Sequence, residues 1–549
     1  MAEITGSEVV AKALKKQGTE ILFFIMGGPM IETEGFCVKE GIRPLDVRHE
    51  QAAAMSATAY ARLTQRPAVC MAASGPGVIN LTTGVANAYI DCAPLVVVGG
   101  ASPLHGFGRG VFQDIDQVAI MRPMTKHAER INRIDRIPEK IANAFRIAMS
   151  GKPGPVYLDL PGDVLFSKME ESEIDFSMCQ PFEPERPMGD PKSIARLVEG
   201  LSKAKNPVIL SGSGVIYSRA GEELTALVDK TGIPFYTTPQ GRGTVPDDHD
   251  HSYLSMRSAA FKEADFFLVV GTRLNYVMGH LEPPRFNADA KVARIEIDAA
   301  EMAASPRHID YPVLGDCKAV LQQLLEAIGG KITKKTYEPW RKRLETGADA
   351  KRKGPGGNTF PDGDPIHPLH LCDEVKKFMK RDAILCVDGQ EILTYGRQWI
   401  PTFEAGHRLN SGPFGTMGVG LPFGLGAKLA RPDKQVIVLH GDGSFGLNAM
   451  EIDTAIRHNI PLLVVISLNG GWTGDPKREK AGRELGYTPY HEMFKCLGAY
   501  GEFVDTIEGI APALKRGQAE VDKGRVAIIN VKTFWGARAA QTKFTAYMT

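Results

Sequence analysis

The sequence predicts an α/β protein of three domains, each a mostly parallel sheet flanked by helices. Short β-branched, apolar runs alternate with helical patterns along the whole chain, and strands joined by helices lie parallel and become covered on both faces. Two polar stretches, near 165–190 and 351–365, interrupt that alternation. The chain has 549 residues, which at roughly 150 per domain gives three to four domains, each large enough to bury a core.

The elements follow in chain order. The opening, MAEITGSEVV, reads as a helix start with Ser7 as its cap. Strands are expected at ILFFIMG (21–27), AVCMAAS (68–74), PLVVVGG (94–100) and PVYLDLP (155–161), which makes 1–180 a first domain. The acidic, Pro-containing run EESEIDFSMCQPFEPERPMGDP has no periodicity and reads as a linker. A middle domain, 190–345, carries strands at NPVILSG (206–212), DFFLVVGT (265–272) and VARIEID (292–298), and the polar run KRKGPGGNTFPDGDP follows it. The third domain, 365–549, has strands at AILCVDG (383–389), QVIVLHGDG (435–443), LLVVISLNGG (462–471) and VAIINVK (526–532). It repeats the strand–turn–helix grammar of the first.

Composition excludes several functions. Lys plus Arg is 65 against 64 for Asp plus Glu, a net charge of +1, so no broad basic surface is available for a polyphosphate backbone and nucleic acid is not an expected partner. Eight cysteines occur with no Cys-x-x-Cys pair, which argues against a zinc site or redox dithiol and for free thiols in a reducing compartment. The start lacks a basic-then-apolar leader, no apolar run reaches eighteen residues, and AYMT is neither a peroxisomal address nor a prenylation box. A cytoplasmic protein without membrane contact is expected.

The most informative stretch is GDGSFGLNAMEIDTAIRHNIPLLVVISLNGGW, 441–472. One strand runs into Gly441-Asp442-Gly443 and a second ends at Asn469-Gly470-Gly471. Both ends are carboxyl ends of parallel strands, where such sheets bind ligands, so Asp442 and Asn469 can be neighbours in space. A carboxylate, an amide oxygen and glycine backbone are the hard donors that Mg2+ beside a diphosphate needs, and a helix starting near Ser444 would aim its amino end at the phosphates. Gly-Asp-Gly by itself is a common turn.

The combined pattern resembles the diphosphate and metal motif of thiamine-diphosphate enzymes. The resemblance implies that Asp442, Asn469 and the Gly471 carbonyl hold the metal, with Gly441, Gly443 and Ser444 beside the cofactor; Leu468 departs from the motif at a position that is not a ligand. RHEQAAAMSATAYAR (48–62) resembles the segment bearing that family's essential glutamate and implies this role for Glu50. There a poorly solvated carboxyl group next to the aminopyrimidine promotes proton removal from the thiazolium carbon. LNSGPFGTMGVGLPFGLGA (409–427) resembles the loop that grips the aminopyrimidine, with the Gly415 carbonyl on the amino group and Met417 wedged under the bent cofactor.

Within that family, SGPGVINLTTGVANAYIDCAPLVVVGGASP (74–103), GVFQDIDQ (110–117), GTRLNYVMGH (271–280) and CVDGQEILTYGRQW (386–399) look most like the branch acting on acyl-coenzyme A thioesters. NGGWTGDPKREKAGRELGYTPY (469–490) resembles bacterial 2-hydroxyacyl-CoA lyases more than oxalyl-CoA decarboxylases, because Trp472 departs from the decarboxylase pattern. The implied reaction cleaves C1–C2 of a 2-hydroxyacyl-CoA to formyl-CoA and an aldehyde or ketone through a carbanion and enamine on the cofactor. The alternatives are oxalyl-CoA decarboxylase, an acetolactate-synthase-like carboligase and a noncatalytic cofactor-binding paralogue. Gln113 is nominated as a polar contact at the reacting centre, Trp472, Glu484 and Tyr487 as pocket-closing groups, and Arg273 and Arg397 as contacts to coenzyme A phosphates. The GSGVIYSRAG turn (212–221) with Glu296 and Asp298 looks like a nucleotide-type domain, where relatives keep ADP or FAD. The resemblance further implies a homodimer or dimer of dimers, with the cofactor between the first domain of one subunit and the third of another, and a carboxyl-terminal lid (536–549) bearing Arg538 and Lys543.

Overall fold

The structure, a computed structural model, describes residues 3–353, 365–472 and 479–539. Its first large sheet runs Arg43–Asp46, Ile21–Phe24, Ala68–Ala72, Leu95–Ala101, Val156–Pro161 and His127–Arg130, with every neighbouring pair parallel. Another is ordered Arg408–Leu409, Ile384–Asp388, Val436–Gly441, Leu463–Leu468, Ala527–Lys532 and Tyr500–Val504. Numbered by chain order within each sheet, both read 2-1-3-4-6-5, so the shared grammar of the outer blocks is a shared topology. The middle sheet is Phe235–Thr237, Pro207–Ser211, Phe266–Val270, Lys291–Glu296 and Tyr311–Leu314, all parallel, in the order 2-1-3-4-5. Doubly wound sheets of this kind present loops at the carboxyl ends of their strands.

All eleven strands expected from the sequence are present, and each lies inside a sheet. Among the described residues eight strands were not expected: the two edges of each large sheet, and Glu3–Thr5 with Lys168–Glu170, which pair antiparallel as a separate two-stranded sheet. An interior strand of a parallel sheet is covered on both faces and reads as an unbroken apolar run, such as Phe266–Val270, every residue of which is buried. An edge strand such as Arg43–Asp46 buries only Leu45 fully and carries charge at both ends.

The amino-terminal cap is Thr5, not Ser7. Thr5 Oγ1 accepts from the Glu8 N–H at 3.3 Å while Glu8 accepts from the Thr5 N–H at 2.9 Å, a reciprocal capping box that opens the helix Gly6–Lys16. Ser7 has Val10 three residues on, so no acid can complete a box for it; its hydroxyl donates instead to the Leu165 carbonyl at 3.4 Å. None of the eight cysteines is joined in a disulfide, and Cys496 alone is exposed. No described helix is long and apolar enough to cross a membrane.

Residues up to Pro184, Ile384–Leu393 and Leu409–Trp535 form one compact unit; Glu185–Ala383 and Thr394–Arg408 belong to a second. The outer blocks share a unit because the helix Glu50–Thr64 packs on the helix Gly420–Ala430, and a Cβ at Gly426 would overlap the Ser56 carbonyl. Glycine permits that approach. One continuous core then runs from Ala52, Ala57 and Ala61 through Leu421, Phe423 and Leu425 to Val438.

Glu34, on the helix Ile31–Lys39, is 5% exposed with neither carboxylate oxygen hydrogen-bonded. Burial pushes its carboxyl up to about 8 from an ordinary 4.5. The folded state therefore binds this proton more tightly than the unfolded chain, and the stability it contributes is full below pH 4.5 and lost as pH rises through about 8. Glu34→Gln is expected to raise stability at pH 8.5 by about 1–3 kcal/mol and to change it little at pH 4.5, measured by urea denaturation.

Candidate functional site

The strand Val436–Gly441 delivers its last residue beside Ser467 of the strand Leu463–Leu468. The two loops that follow therefore meet. Asp442 is 3% exposed; its Oδ2 accepts from the Gly470 N–H at 2.7 Å and its Oδ1 from the Gly443 N–H at 2.9 Å. Burial nevertheless pushes its carboxyl up to about 6. Asn469 Oδ1 accepts from the Gly471 N–H at 3.1 Å. The helix begins at Asp442, two residues before Ser444, because Gly441 is the residue that holds extended geometry at its start.

The Asn469–Trp472 loop is pinned from behind. Trp472 N–H donates to the Arg483 carbonyl at 2.7 Å and Leu485 N–H to the Gly470 carbonyl at 3.0 Å, so the Gly471 carbonyl takes no part in either bond. A Cβ at Gly471 would overlap the Arg483 carbonyl, and one at Gly443 would lie 2.8 Å from the Trp472 ring. The indole thus covers the Gly-Asp-Gly turn. Glu484 is exposed and faces Gly471 across this short ladder, while Tyr487 is exposed with Lys532 Nζ 5.4 Å from its ring centroid. Residues 473–478 lie outside the described residues.

These donors fit a divalent cation beside a diphosphate. A buried carboxylate that burial disfavours is stabilised by a nearby positive charge, and an amide oxygen and a backbone carbonyl complete a hard donor set. Among the described residues no group of three His, Cys, Asp or Glu could hold a metal, so a cation here would draw on Asp442, Asn469 and Gly471.

Sequence reasoning missed the residues behind this turn. His440 and Asp388 face each other across adjacent strands, with Nδ1 3.7 Å from Oδ2. Burial pushes His440 down to about 3, leaving it neutral, and pushes Asp388 up to about 6. The Ser444 hydroxyl donates to the Gly441 carbonyl at 3.0 Å and lies 3.1 Å from His440 Nδ1. Since the hydroxyl proton is directed at Gly441, His440 Nδ1 is the donor to Ser444. Tyr490, also missed, reaches the Asp442 carbonyl at 3.5 Å and packs edge-on against Phe445. The usable signal was that CVDG and LHGDG both end on predicted neighbouring strands.

A second cluster lies in the first block. His49 Nδ1 accepts from the Gln51 N–H at 3.2 Å and caps the helix Glu50–Thr64, which makes Glu50 its first residue. Glu50 is half-buried, less desolvated in the single chain than the sequence led us to expect, and its Oε2 accepts from Asn80 Nδ2 at 3.0 Å. Asn80 sits on the helix Pro76–Asp91, whose entry is Gly75 at φ 60. Gln113, itself left-handed at φ 60, presses its Cβ within 2.8 Å of where a Gly75 Cβ would stand and accepts from the Ser74 hydroxyl at 2.5 Å. Glu50 and Gln113 therefore flank one turn. Gln117, which the sequence did not single out, holds that turn: its Oε1 accepts from the Gly75 N–H at 2.5 Å and its Nε2 donates to buried Asp159 at 2.7 Å. In the third block Gly415 is left-handed at φ 72 and exposed, Met417 is half-buried, and the Gly418 carbonyl accepts from Asn448 Nδ2 at 2.8 Å.

Arg273 and Arg397 are both half-buried in the second unit. The Arg397 carbonyl accepts from Arg242 at 2.6 Å. Arg257, which the sequence did not nominate, is crowded by like charge: burial and the Arg242 charge lower its pKa, and burial with the Arg257 charge pushes Arg285 down to about 10. An anion offsets such crowding. Nothing in the sequence marks residues 242, 257 and 285 as neighbours. Of the expected lid, Arg538 is described and donates to the Ala537 carbonyl at 3.2 Å, whereas 540–549, with Lys543, lie outside the described residues.

Family models match three segments: a thiamine pyrophosphate enzyme N-terminal TPP binding domain at 4–120, a central domain at 194–324 and a C-terminal TPP binding domain at 393–531. The chain is 32% identical to 2-hydroxyacyl-CoA lyase 1 of Mus musculus, over 96% of this chain and 94% of the relative. It is 32% identical to 2-hydroxyacyl-CoA lyase of Arabidopsis thaliana, over 98% and 97%. It is 30% identical to oxalyl-CoA decarboxylase of Escherichia coli, over 96% and 94%.

Gly443→Ala is expected to push the Trp472 ring away and to shift tryptophan emission to longer wavelength, with far-UV circular dichroism unchanged; an unaltered emission spectrum would show that the ring does not rest on Gly443.

Proposed function

The chain belongs to the thiamine pyrophosphate enzyme family, and from that premise we propose that it is a 2-hydroxyacyl-CoA lyase. It cleaves C1–C2 of a 2-hydroxyacyl-CoA to formyl-CoA and an aldehyde or ketone, and in reverse joins them. The observation that carries this reading is the Asp442–Asn469–Gly471 cradle, in which residues 27 apart in sequence meet at two strand ends under the Trp472 ring. Trp472 there also favours the lyase over the decarboxylase.

Bound thiamine diphosphate supplies a carbon nucleophile able to add to a thioester carbonyl, and the chain's own residues do the rest. Asp442, Asn469 and the Gly471 carbonyl hold Mg2+, while Gly441, Gly443 and Ser444 line the diphosphate. Gly415 and Met417 orient the aminopyrimidine, and Glu50 holds and returns a proton on that ring. Gln113 is a polar contact for the reacting carbonyl region, and Trp472, Glu484 and Tyr487 close the pocket against water. Arg273 and Arg397, joined by Arg257, bind the coenzyme A phosphates, and the middle domain has the topology for ADP or the nucleotide of coenzyme A.

The domains divide as 1–180, 190–345 and 365–549 in this reading. The protein works in the cytoplasm as a homodimer or a tetramer of two such dimers, where Glu50 of one chain serves the cofactor bound by the other. Its half-buried position supports this, since a second chain would complete the dry setting that the proton transfer needs.

With thiamine diphosphate and Mg2+, a mass-spectrometric panel is expected to show formyl-CoA together with an aldehyde or ketone from 2-hydroxyacyl-CoA substrates. Carbon dioxide and formyl-CoA from oxalyl-CoA alone would replace this reading with the decarboxylase. Glu50→Gln is expected to lower kcat by about 100-fold or more at unchanged melting temperature; full activity would remove Glu50 from its role.

A further inference from the structure

Glu50 stands at the first position of its helix, where backbone groups lack intrahelical partners and placement depends on what holds the turn from outside. The His49 cap is a single bond from an exposed ring. The stronger anchors come from a segment just beyond the Gly-Asp-Gly turn. Glu451, 1% exposed, accepts from the Arg48 N–H at 3.0 Å and 3.3 Å through its two oxygens and is itself fixed by the Thr454 hydroxyl at 2.7 Å. Asn448, 5% exposed, accepts from Gln51 Nε2 at 2.9 Å. Glu50 is therefore bracketed, two residues before and one after, by side chains that are about 400 positions away.

The Asn448 amide does a second thing. Its Nδ2 donates to the Gly418 carbonyl at 2.8 Å, the residue after Met417. Gly418 is left-handed at φ 86, and a Cβ there would stand 3.0 Å from that nitrogen, so glycine and amide are fitted to each other. One planar group with a donor and an acceptor thus ties the helix start carrying Glu50 to the loop carrying Gly415 and Met417. Among side chains of that length only an amide offers both.

We propose that Asn448 is a positioning residue for Glu50: by tying the first turn of its helix to the Gly418 backbone of the same chain, it fixes where that turn presents the carboxyl group to the cofactor held by the partner chain. This rests on the role given to Glu50 above. Glu451 supports the same turn from the backbone side.

The test follows hydrogen–deuterium exchange at the thiazolium carbon of thiamine diphosphate bound to the full-length protein with Mg2+, quenched and read by NMR. Asn448→Ala and Gln51→Ala delete the same bond from its two ends, the second at a helical position that favours alanine. Both are expected to slow exchange about tenfold or more, the scale on which small misplacements act, while the cofactor dissociation constant changes less than about threefold and the melting temperature stays within about 3 °C. Exchange within about twofold of wild type in Gln51→Ala, alongside slow exchange in Glu50→Gln, overturns the positioning role. Unchanged exchange in Glu50→Gln overturns the reading on which it rests, and the positioning role with it.

Discussion

A carboxylate removed from water must be met by donors or by positive charge, and the carboxyl end of the third sheet is organised around that requirement. Asp442 is buried where two strands end, and the N–H groups of Gly443 and Gly470 supply part of what it lost in leaving water. They do not supply all of it, since its carboxyl still lies near 6. A cation held there, as proposed above, would supply the rest. The glycines answer to other constraints: a Cβ at Gly443 would meet the Trp472 ring, and Gly470 is left-handed at φ 77.

The surroundings share that electrostatic character. Asp388 is pushed up to about 6, Glu451 to about 7 and His440 down to about 3, each chiefly by burial. All four groups sit on one block around the Gly-Asp-Gly turn, each with a defined hydrogen bond and little access to water. A site of this kind holds donors and acceptors in fixed directions before any ligand arrives, which is the condition for electrostatic preorganisation. The second unit shows the opposite sign: around Arg257 it gathers guanidinium groups that repel one another, as an anion site would.

Glycine packing makes the two outer blocks one body. Gly426 lets the Glu50–Thr64 helix lie against Gly420–Ala430, and Asn448, Glu451 and Arg457 bond across the same boundary to Gln51, the Arg48 N–H and Asp46. Because these contacts are buried or charge-assisted, the segment before Glu50 has little freedom relative to the strand ends that carry Asp442. The first block is thereby placed by the third.

The sequence by itself determined the eleven interior strands, the two strand-end motifs and the family. Coverage on both faces writes an apolar run into consecutive residues, and a motif is a local string whatever surrounds it. The tertiary structure decided what depends on meeting across the chain: the edge strands, the Thr5 cap over Ser7, the half-buried setting of Glu50, and the supporting roles of His440, Gln117, Asn448, Glu451 and Arg257. A hydrogen bond between residues 51 and 448, or repulsion between 257 and 285, is fixed by where two distant segments come to rest, and a one-dimensional pattern carries no record of that distance.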